Sequence, residues 1–95
     1  MKINHNGKRY NTDNTKILGE LTLYSNGNNI SGWESLGVTS DGIYLSWVDA
    51  SGSDGYVQDS CEILSADEAR DKLEDMDQDD DHEQNSIDCG LIVNA

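Results

Sequence analysis

Three turn signals divide the first two thirds of the chain into short segments. Asn6-Gly7 and Asn26-Gly27 favour type I′ turns, because both central residues of that turn adopt positive φ. Ser40-Asp41-Gly42 is a further hairpin signal. Short segments joined by such tight turns pair as neighbouring antiparallel strands. We therefore predict that this part of the chain forms a small antiparallel sheet.

The segments between these turns have the composition of β-strands. Residues 2–5 and 8–10 are predicted to form an N-terminal hairpin. Further strands are predicted over residues 15–24, 33–39, 43–48 and 60–64, with turns or loops at residues 11–14, 25–32 and 49–59. Gly19 is expected to mark a bulge or bend within the strand of residues 15–24.

The aromatic side chains are candidates for the core. Because the chain contains no Phe, much of the core area is expected to come from Trp33, Tyr44, Trp47 and Tyr56. One of the Trp residues has an alternative role as an exposed anchor for a partner, since Trp and Tyr are enriched at binding hot spots. Tyr56, in the Gly- and Ser-rich loop of residues 49–59, is a second candidate contact.

A helix is predicted after the last of these strands. Ser65 and Glu68 form a Ser-x-x-Glu capping box. Ala66, Ala69 and Leu73 then follow at helical spacing, which Met76 continues. The helix is therefore expected to run from residue 66 to about residue 75.

The predicted fold class is α+β. Ninety-five residues have room for one domain with a small core. We expect four to six antiparallel strands with one amphipathic helix packed on them, in a single domain over residues 1–95. Residues 1–64 are the β-rich part, 65–76 the helix, 77–86 an acidic loop and 87–93 an edge strand that returns to the sheet.

Negative charge is concentrated in the last third of the chain. Residues 59–95 contain 13 acidic and two basic side chains, a net charge of −11, whereas residues 1–58 have a net charge of −2. Binding to a nucleic-acid backbone or to an anionic membrane requires clustered Lys and Arg, so neither is expected. The expected partner is a basic protein.

The acidic segment supplies most of the candidate binding residues. They are Asp67, Asp71, Glu74, Asp75, Asp77, Asp79, Asp80, Asp81 and Glu83, with Tyr56 as the aromatic addition. Carboxylates at i and i+4 of a helix are spaced on a scale comparable to neighbouring phosphates, so the segment is a candidate nucleic-acid mimic. The alternative is a solvated tail that aids solubility or adapts the protein to high salt.

A metal site and an enzyme active site are both disfavoured. A calcium loop is matched at its first five odd-numbered positions, by Asp75, Asp77, Asp79, Asp81 and Glu83. However, Asp80 replaces the Gly of the turn and Ser86 replaces the bidentate Glu. Weak calcium or magnesium association stays an alternative to a site without metal. The two imidazoles, His5 and His82, lie far in sequence from any nucleophile motif, and Glu62 beside Cys61 disfavours the thiolate. We expect neither catalysis nor a cofactor.

Location is inferred from what the sequence lacks. No apolar run is long enough to cross a membrane, and the first residues have no apolar signal core. Cys61 and Cys89 have no metal-ligand spacing, and they are expected to be buried or free thiols in a cytoplasmic protein. The alternative is a disulfide between them, which requires an oxidising compartment.

Three segments carry a family resemblance. Residues 6–12 contain Asn-Gly-Lys-x-Tyr-Asn-Thr, followed by Gly19-Glu20. The segment DGIYLSWVDASGSDGY combines a strand with a Gly-rich loop, and EILSADEARDKLED is a strand-to-helix junction. Together these resemble small proteins of Gram-positive bacteria, their phages and mobile elements. Asn14-Thr15 departs from the Thr-Ala of that group, and the acidic extension after Asp75 is not part of its pattern.

The resemblance implies an accessory protein of a phage or mobile element, a setting in which acidic inhibitors of host immunity, such as anti-CRISPR proteins, are common. The expected function is therefore inhibition of a bacterial immune effector in the host cytoplasm, with a CRISPR-associated nuclease or effector complex as first candidate. The inhibitor is expected to be a monomer or a weak dimer. The alternatives are an acidic immunity or antitoxin-like partner of a basic toxin, and a non-inhibitory soluble accessory protein.

Overall fold

A computed structural model of the chain describes residues 1–25, 27–50 and 57–93. It confirms the α+β class, with an antiparallel four-stranded sheet, a two-stranded sheet and two helices. The strands are β1 (Lys2–His5), β2 (Lys8–Asn11), β3 (Lys16–Ser25), β4 (Asn29–Val38), β5 (Tyr44–Asp49) and β6 (Ser60–Leu64). The helices are α1 (Ala66–Leu73) and α2 (Asp80–Asp88), and a 3₁₀ turn covers Thr12–Asn14.

The N-terminal hairpin is formed as predicted. β1 and β2 pair antiparallel, and the turn residues Asn6 and Gly7 have φ angles of 51° and 76°. These positive values are those of a type I′ turn, in which an Asn-Gly pair is the least strained choice. The larger sheet has the order β3-β4-β5-β6, so sequential strands are neighbours throughout.

The bulge predicted at Gly19 is confirmed, and it places a core side chain. The β3–β4 register passes from Ile17 opposite Gly37 directly to Gly19 opposite Leu36, which leaves Leu18 without a cross-strand partner. The side chain of Leu18 is completely buried. A Cβ atom on Gly19 would lie 2.7 Å from the Leu73 Cδ1 atom, so the absence of a side chain lets α1 approach this strand closely.

The main core lies between one face of the sheet and the helical segments. The sheet contributes Leu18, Leu36, Val38 and Leu64, and the C-terminal part contributes Ala69, Leu73, Met76 and Leu91. The prediction that aromatic residues supply much of the core is wrong for the described residues, none of whose buried hydrophobic side chains is aromatic. Tyr44 packs at the border of the cluster, and Trp33 is 38% exposed.

The opposite face of the sheet is covered by the N-terminal region. Leu45 is completely buried but does not belong to the main cluster, because it alternates with Tyr44 and Ser46 along β5. On this face a Cβ atom on Gly37 would lie 2.6 Å from the Thr15 Oγ1 atom, and β1 lies against β6. The hairpin, the sheet and the helices therefore form successive layers.

The predicted acidic loop and edge strand are both wrong. Residues 80–88 form α2, and no residue of the described segment 87–93 belongs to a strand. The sequence of α2 shows no helical period of apolar residues, because the residue that α2 buries is polar Ser86. Its start has a capping box in which His82 takes the place of the usual Glu or Gln, opposite Asp79 as N-cap.

The start of β4 and the end of α1 also differ from the predicted boundaries. β4 begins at Asn29, so the second half of the predicted turn at residues 25–32 belongs to a strand. α1 ends at Leu73, about two residues before the predicted end.

Neither described helix has the length and apolar composition needed to cross a bilayer.

Candidate acidic interface

Both helices and the residues between them form one outer layer of the protein, which we call the acidic layer (residues 65–93). It carries 11 acidic and two basic side chains. All of the acidic residues in it are exposed. Nine of the ten predicted binding residues belong to this layer. The tenth, Tyr56, lies outside the described residues.

Several carboxylates in this layer have structural roles. Asp67 forms a 3.0 Å ion pair with Arg70, one helical turn away. Asp79 accepts a 2.8 Å hydrogen bond from the backbone N–H of His82 as the N-cap of α2. Glu68 accepts a 3.0 Å hydrogen bond from the Ser65 backbone N–H, and bonding to Ser65 lowers the pKa of Glu68. Part of the predicted binding set therefore serves the fold itself.

Other carboxylates of the layer project without intramolecular partners. Within the described part of the chain, no ion pair or side-chain hydrogen bond is formed by Asp71, Glu74, Asp75, Asp80, Asp81 or Glu83. We call these six residues the open carboxylates. Asp80, Asp81 and Glu83 lie in the first turn of α2, where the helix dipole favours negative charge. That placement offsets part of the electrostatic repulsion among the three carboxylates.

The two basic side chains of the layer are both used internally. Arg70 pairs with Asp67 and donates a 3.1 Å hydrogen bond to the Leu91 carbonyl. Lys72 forms a 3.0 Å ion pair with Glu34, and both side chains are largely buried between α1 and the sheet. These contacts attach α1 to its surroundings. They leave the open carboxylates without a neutralising cation in the layer.

The segment between the helices is attached to the edge of the sheet. Glu20 and Asp77 exchange two backbone hydrogen bonds, of 3.0 and 2.8 Å. At the β3 bulge, the Gln78 side-chain amide donates to the Leu18 carbonyl at 2.8 Å, and Asn85 donates to the Ile17 carbonyl at 2.9 Å. Side-chain amides thus satisfy two backbone carbonyls at the bulge, and they hold residues 78 and 85 against β3, within the segment predicted as an acidic loop.

Replacing Gln78 by Ala is expected to lower the free energy of unfolding by about 1 to 2 kcal/mol, because the Leu18 carbonyl and the Ser86 hydroxyl both lose a partner. The matched control is Gln84→Ala, which removes only an exposed contact to Asp88 and should cost about 0.5 kcal/mol or less. Urea unfolding of both variants tests this. An equal decrease in the free energy of unfolding for both variants would contradict the role given to Gln78.

Basic residues occupy the opposite layer of the molecule. Lys2, Lys8 and Arg9 lie on the N-terminal hairpin, and all three are exposed. Lys8 pairs with Asp41 at 3.4 Å, and Arg9 donates to Asn4 at 3.1 Å. The negative layer and this small positive layer lie on opposite sides of the sheet. Such a separation of charge orients the molecule in the field of a charged partner.

A polar contact that the sequence did not indicate holds the hairpin to the β4–β5 turn. The Tyr10 hydroxyl donates to Asp41 at 2.9 Å, and Thr39 donates to the same carboxylate. These hydrogen bonds from Thr39 and Tyr10 lower the pKa of Asp41, whereas desolvation, followed by Asp41 itself, raises the pKa of Tyr10. Residues 31 positions apart in sequence meet here, and no local signal marks them as partners.

The lowered pKa of Asp41 predicts a pH effect of defined sign. The carboxylate contributes stability above its ordinary pKa of 3.8, and that contribution is lost as pH falls through the lower value in the folded protein. In urea unfolding from pH 7 downwards, wild type and Asp41→Asn should differ most near neutrality and converge in acid. A difference in stability that stays constant across this range would contradict the prediction.

The remaining candidate sites are also placed by the structure. No group of three or more His, Cys, Asp or Glu side chains that could hold a metal ion is found in residues 1–25, 27–50 and 57–93. Asp81 and Glu83, matched above to a calcium loop, lie in the first turn of α2. Cys61 and Cys89 are both free thiols, and burial raises the pKa of Cys61.

Cross-strand pairing and core packing put the two thiols on opposite faces of the sheet. Cys61 is opposite Trp47 in the register, on the hairpin side, whereas Cys89 packs against the main core. No family model, curated protein or solved structure matches the chain.

Proposed function

We propose that this protein is an inhibitor that acts by binding, and that its acidic layer occupies the basic nucleic-acid-binding surface of a partner protein. The observation that carries the proposal is the set of open carboxylates, six exposed acids without intramolecular partners in the described part of the chain. They lie on an ordered scaffold of two capped helices. A layer built in this way presents charge to a partner without first ordering a loop.

The spacing of the charges supports mimicry of a nucleic-acid strand. Asp67 and Asp71 are four positions apart on α1, and Asp80 and Glu83 are three positions apart on α2. Cβ atoms at this spacing in a helix are about 5 to 6 Å apart. A groove whose Lys and Arg side chains bind successive phosphates can therefore meet successive carboxylates instead. The charge would also speed association at low salt.

The sequence resemblance supports the choice of partner. Three segments resemble small accessory proteins of phages and mobile elements of Gram-positive bacteria, among which inhibitors of host immunity are common. A CRISPR-associated nuclease or effector complex is accordingly the first partner to test. Such effectors hold nucleic acid in positively charged channels that read its backbone.

The test is retention of purified CRISPR-associated effectors on the immobilised protein, followed by competition with the target DNA of each effector. We expect at least one effector to be retained at low salt, released as salt rises, and blocked from its DNA in proportion to the inhibitor added. If no effector is retained at low salt, the inhibitor proposal is wrong. Retention together with undisturbed DNA binding would contradict mimicry.

A matched pair of variants separates the acidic layer from total charge. Asp71→Asn with Glu74→Gln removes two charges from the layer. Asp13→Asn with Glu62→Gln removes two exposed charges outside it. The first pair should weaken retention clearly more than the second. Equal effects would show that overall charge, not this surface, is responsible.

A further inference from the structure

The strand β3 forms one edge of the main sheet, and the C-terminal segment covers only part of that edge. The order β3-β4-β5-β6 leaves β3 with one strand neighbour. Its first half is protected, since Gln78 binds the Leu18 carbonyl and Asp77 pairs with Glu20. Beyond Glu20, no strand or bridge pairs with the outer side of β3 among the described residues. Exposed edges of this kind are templates for strand addition.

The direction of the free backbone groups follows from the pairing of Glu20. Its N–H and C=O groups both bond to Asp77, so they point away from β4. Backbone groups alternate along a strand, and therefore those of Thr22 and Tyr24 point the same way. In residues 1–25, 27–50 and 57–93, no backbone hydrogen bond joins these groups to an element outside the β3–β4 ladder. Two donors and two acceptors are thus available in a line.

An aromatic patch lies beside this edge. Tyr24 is 63% exposed and Trp33 is 38% exposed. Trp33 is opposite Thr22 in the β3–β4 register, and after a register shift that follows Leu23, Tyr24 is opposite Ile30. Both aromatic residues therefore lie toward the same end of the β3–β4 ladder. Glu20, exposed, lies two residues before Thr22 on the same face, and Asp49 is opposite Trp33 on β5. Glu20 and Asp49 therefore place carboxylates on the face of the sheet that carries Trp33.

We propose that the edge of β3 from Glu20 to Tyr24 is a docking site for an extended basic segment of the partner protein, which adds to the sheet as a further strand. The basic character of the segment rests on the proposed function and on charge complementarity. An Arg or Lys across from Glu20 meets a carboxylate, and one across from Tyr24 meets the faces of exposed aromatic rings. A second copy of this chain is a poor occupant, because each copy carries a net charge of −13.

The probe is a short synthetic peptide in which arginine alternates with valine and threonine, tested on the full chain. Binding is followed by fluorescence anisotropy, and hydrogen exchange of the protein's amides locates the site. We expect the Thr22 and Tyr24 amides to become protected, because they donate to the added strand. The same peptide with N-methylated backbone amides keeps its charge but should bind at least about tenfold more weakly, since it cannot complete the ladder.

Two charge-matched variants complete the test. Thr22→Lys places a cation on the edge and should weaken peptide binding by about tenfold, as edge lysines oppose strand addition. Gln84→Lys adds the same charge to the exposed surface of α2 and should leave the edge functional. Equal binding of the methylated peptide, or unchanged exchange at Thr22 and Tyr24, would overturn the proposal and show that the peptide is held only by the acidic layer.

The test of edge docking can be distinguished from the test of the proposed function. Edge protection by the peptide without retention of any effector would support this docking site and contradict the inhibitor proposal. Retention of an effector that is equally strong for wild type and Thr22→Lys would support the inhibitor proposal and contradict edge docking.

Discussion

Replacing Leu18 by Ala is expected to lower the free energy of unfolding by about 3 kcal/mol. Leu18 is the bulged residue of β3, and its side chain is completely buried in the cluster that joins the sheet to α1. Truncation removes apolar contacts and leaves a cavity that the sheet on one side and the helix on the other cannot easily close. For a chain of this size, such a loss lowers the melting temperature by about 12 to 24 °C.

The matched control is Leu23→Ala in the same strand. Leu23 is only half-buried and does not belong to the core cluster. Its truncation should cost about 1 kcal/mol, because most of its lost contacts can be replaced by water without a cavity. Urea unfolding followed by tryptophan fluorescence measures both variants. If Leu23→Ala costs as much as Leu18→Ala, the core has been assigned to the wrong residues of β3.

Neutralising all six open carboxylates with Asn and Gln is expected to weaken binding to the basic partner by about 100-fold or more, if each exposed charge contributes about 0.5 kcal/mol. The salt dependence of binding should fall as well, since fewer cation contacts are replaced during association. Retention and DNA competition at several salt concentrations measure both effects. Binding and salt dependence that match wild type would contradict the role of the acidic layer.

The same variant should fold with a stability close to that of wild type, because the removed repulsion offsets the lost helix-dipole interactions of Asp80, Asp81 and Glu83. None of the six side chains makes an ion pair or side-chain hydrogen bond within the described residues, and their mutual repulsion is removed. Asp79 is left unchanged because it caps α2. A loss of binding with preserved stability would separate the surface role of these residues from a structural one. Unfolding of the variant would show instead that they have structural contacts.

Local chemistry explains which parts of the fold were predictable. The Asn6-Gly7 turn, the Gly19 bulge and the Ser65–Glu68 capping box all depend on backbone preferences within a few residues. α2 was not recognised, since its only buried residue is Ser86 and His82 completes its capping box. A helix that packs through polar contacts lacks the apolar period by which helices are found in sequences.

The acidic interface was predictable in composition but not in form. The sequence locates the charge in the last third of the chain. Only the folded chain distinguishes Asp67 and Asp79, which have structural partners, from the open carboxylates. The open edge of β3 was likewise not predictable, because it depends on how far residues 77–85 extend along that strand.

By itself, the sequence determined the six strands before residue 65, the first helix and the negative charge of the last third of the chain, because turn preference, periodicity and charge are properties of neighbouring residues. The tertiary structure alone decided that residues 77–88 are ordered. Their order depends on the Leu18 bulge, whose displaced carbonyl is satisfied by Gln78 from 60 positions away. A hydrogen bond between such distant residues exists only once both elements are packed, and no local pattern in the chain encodes it.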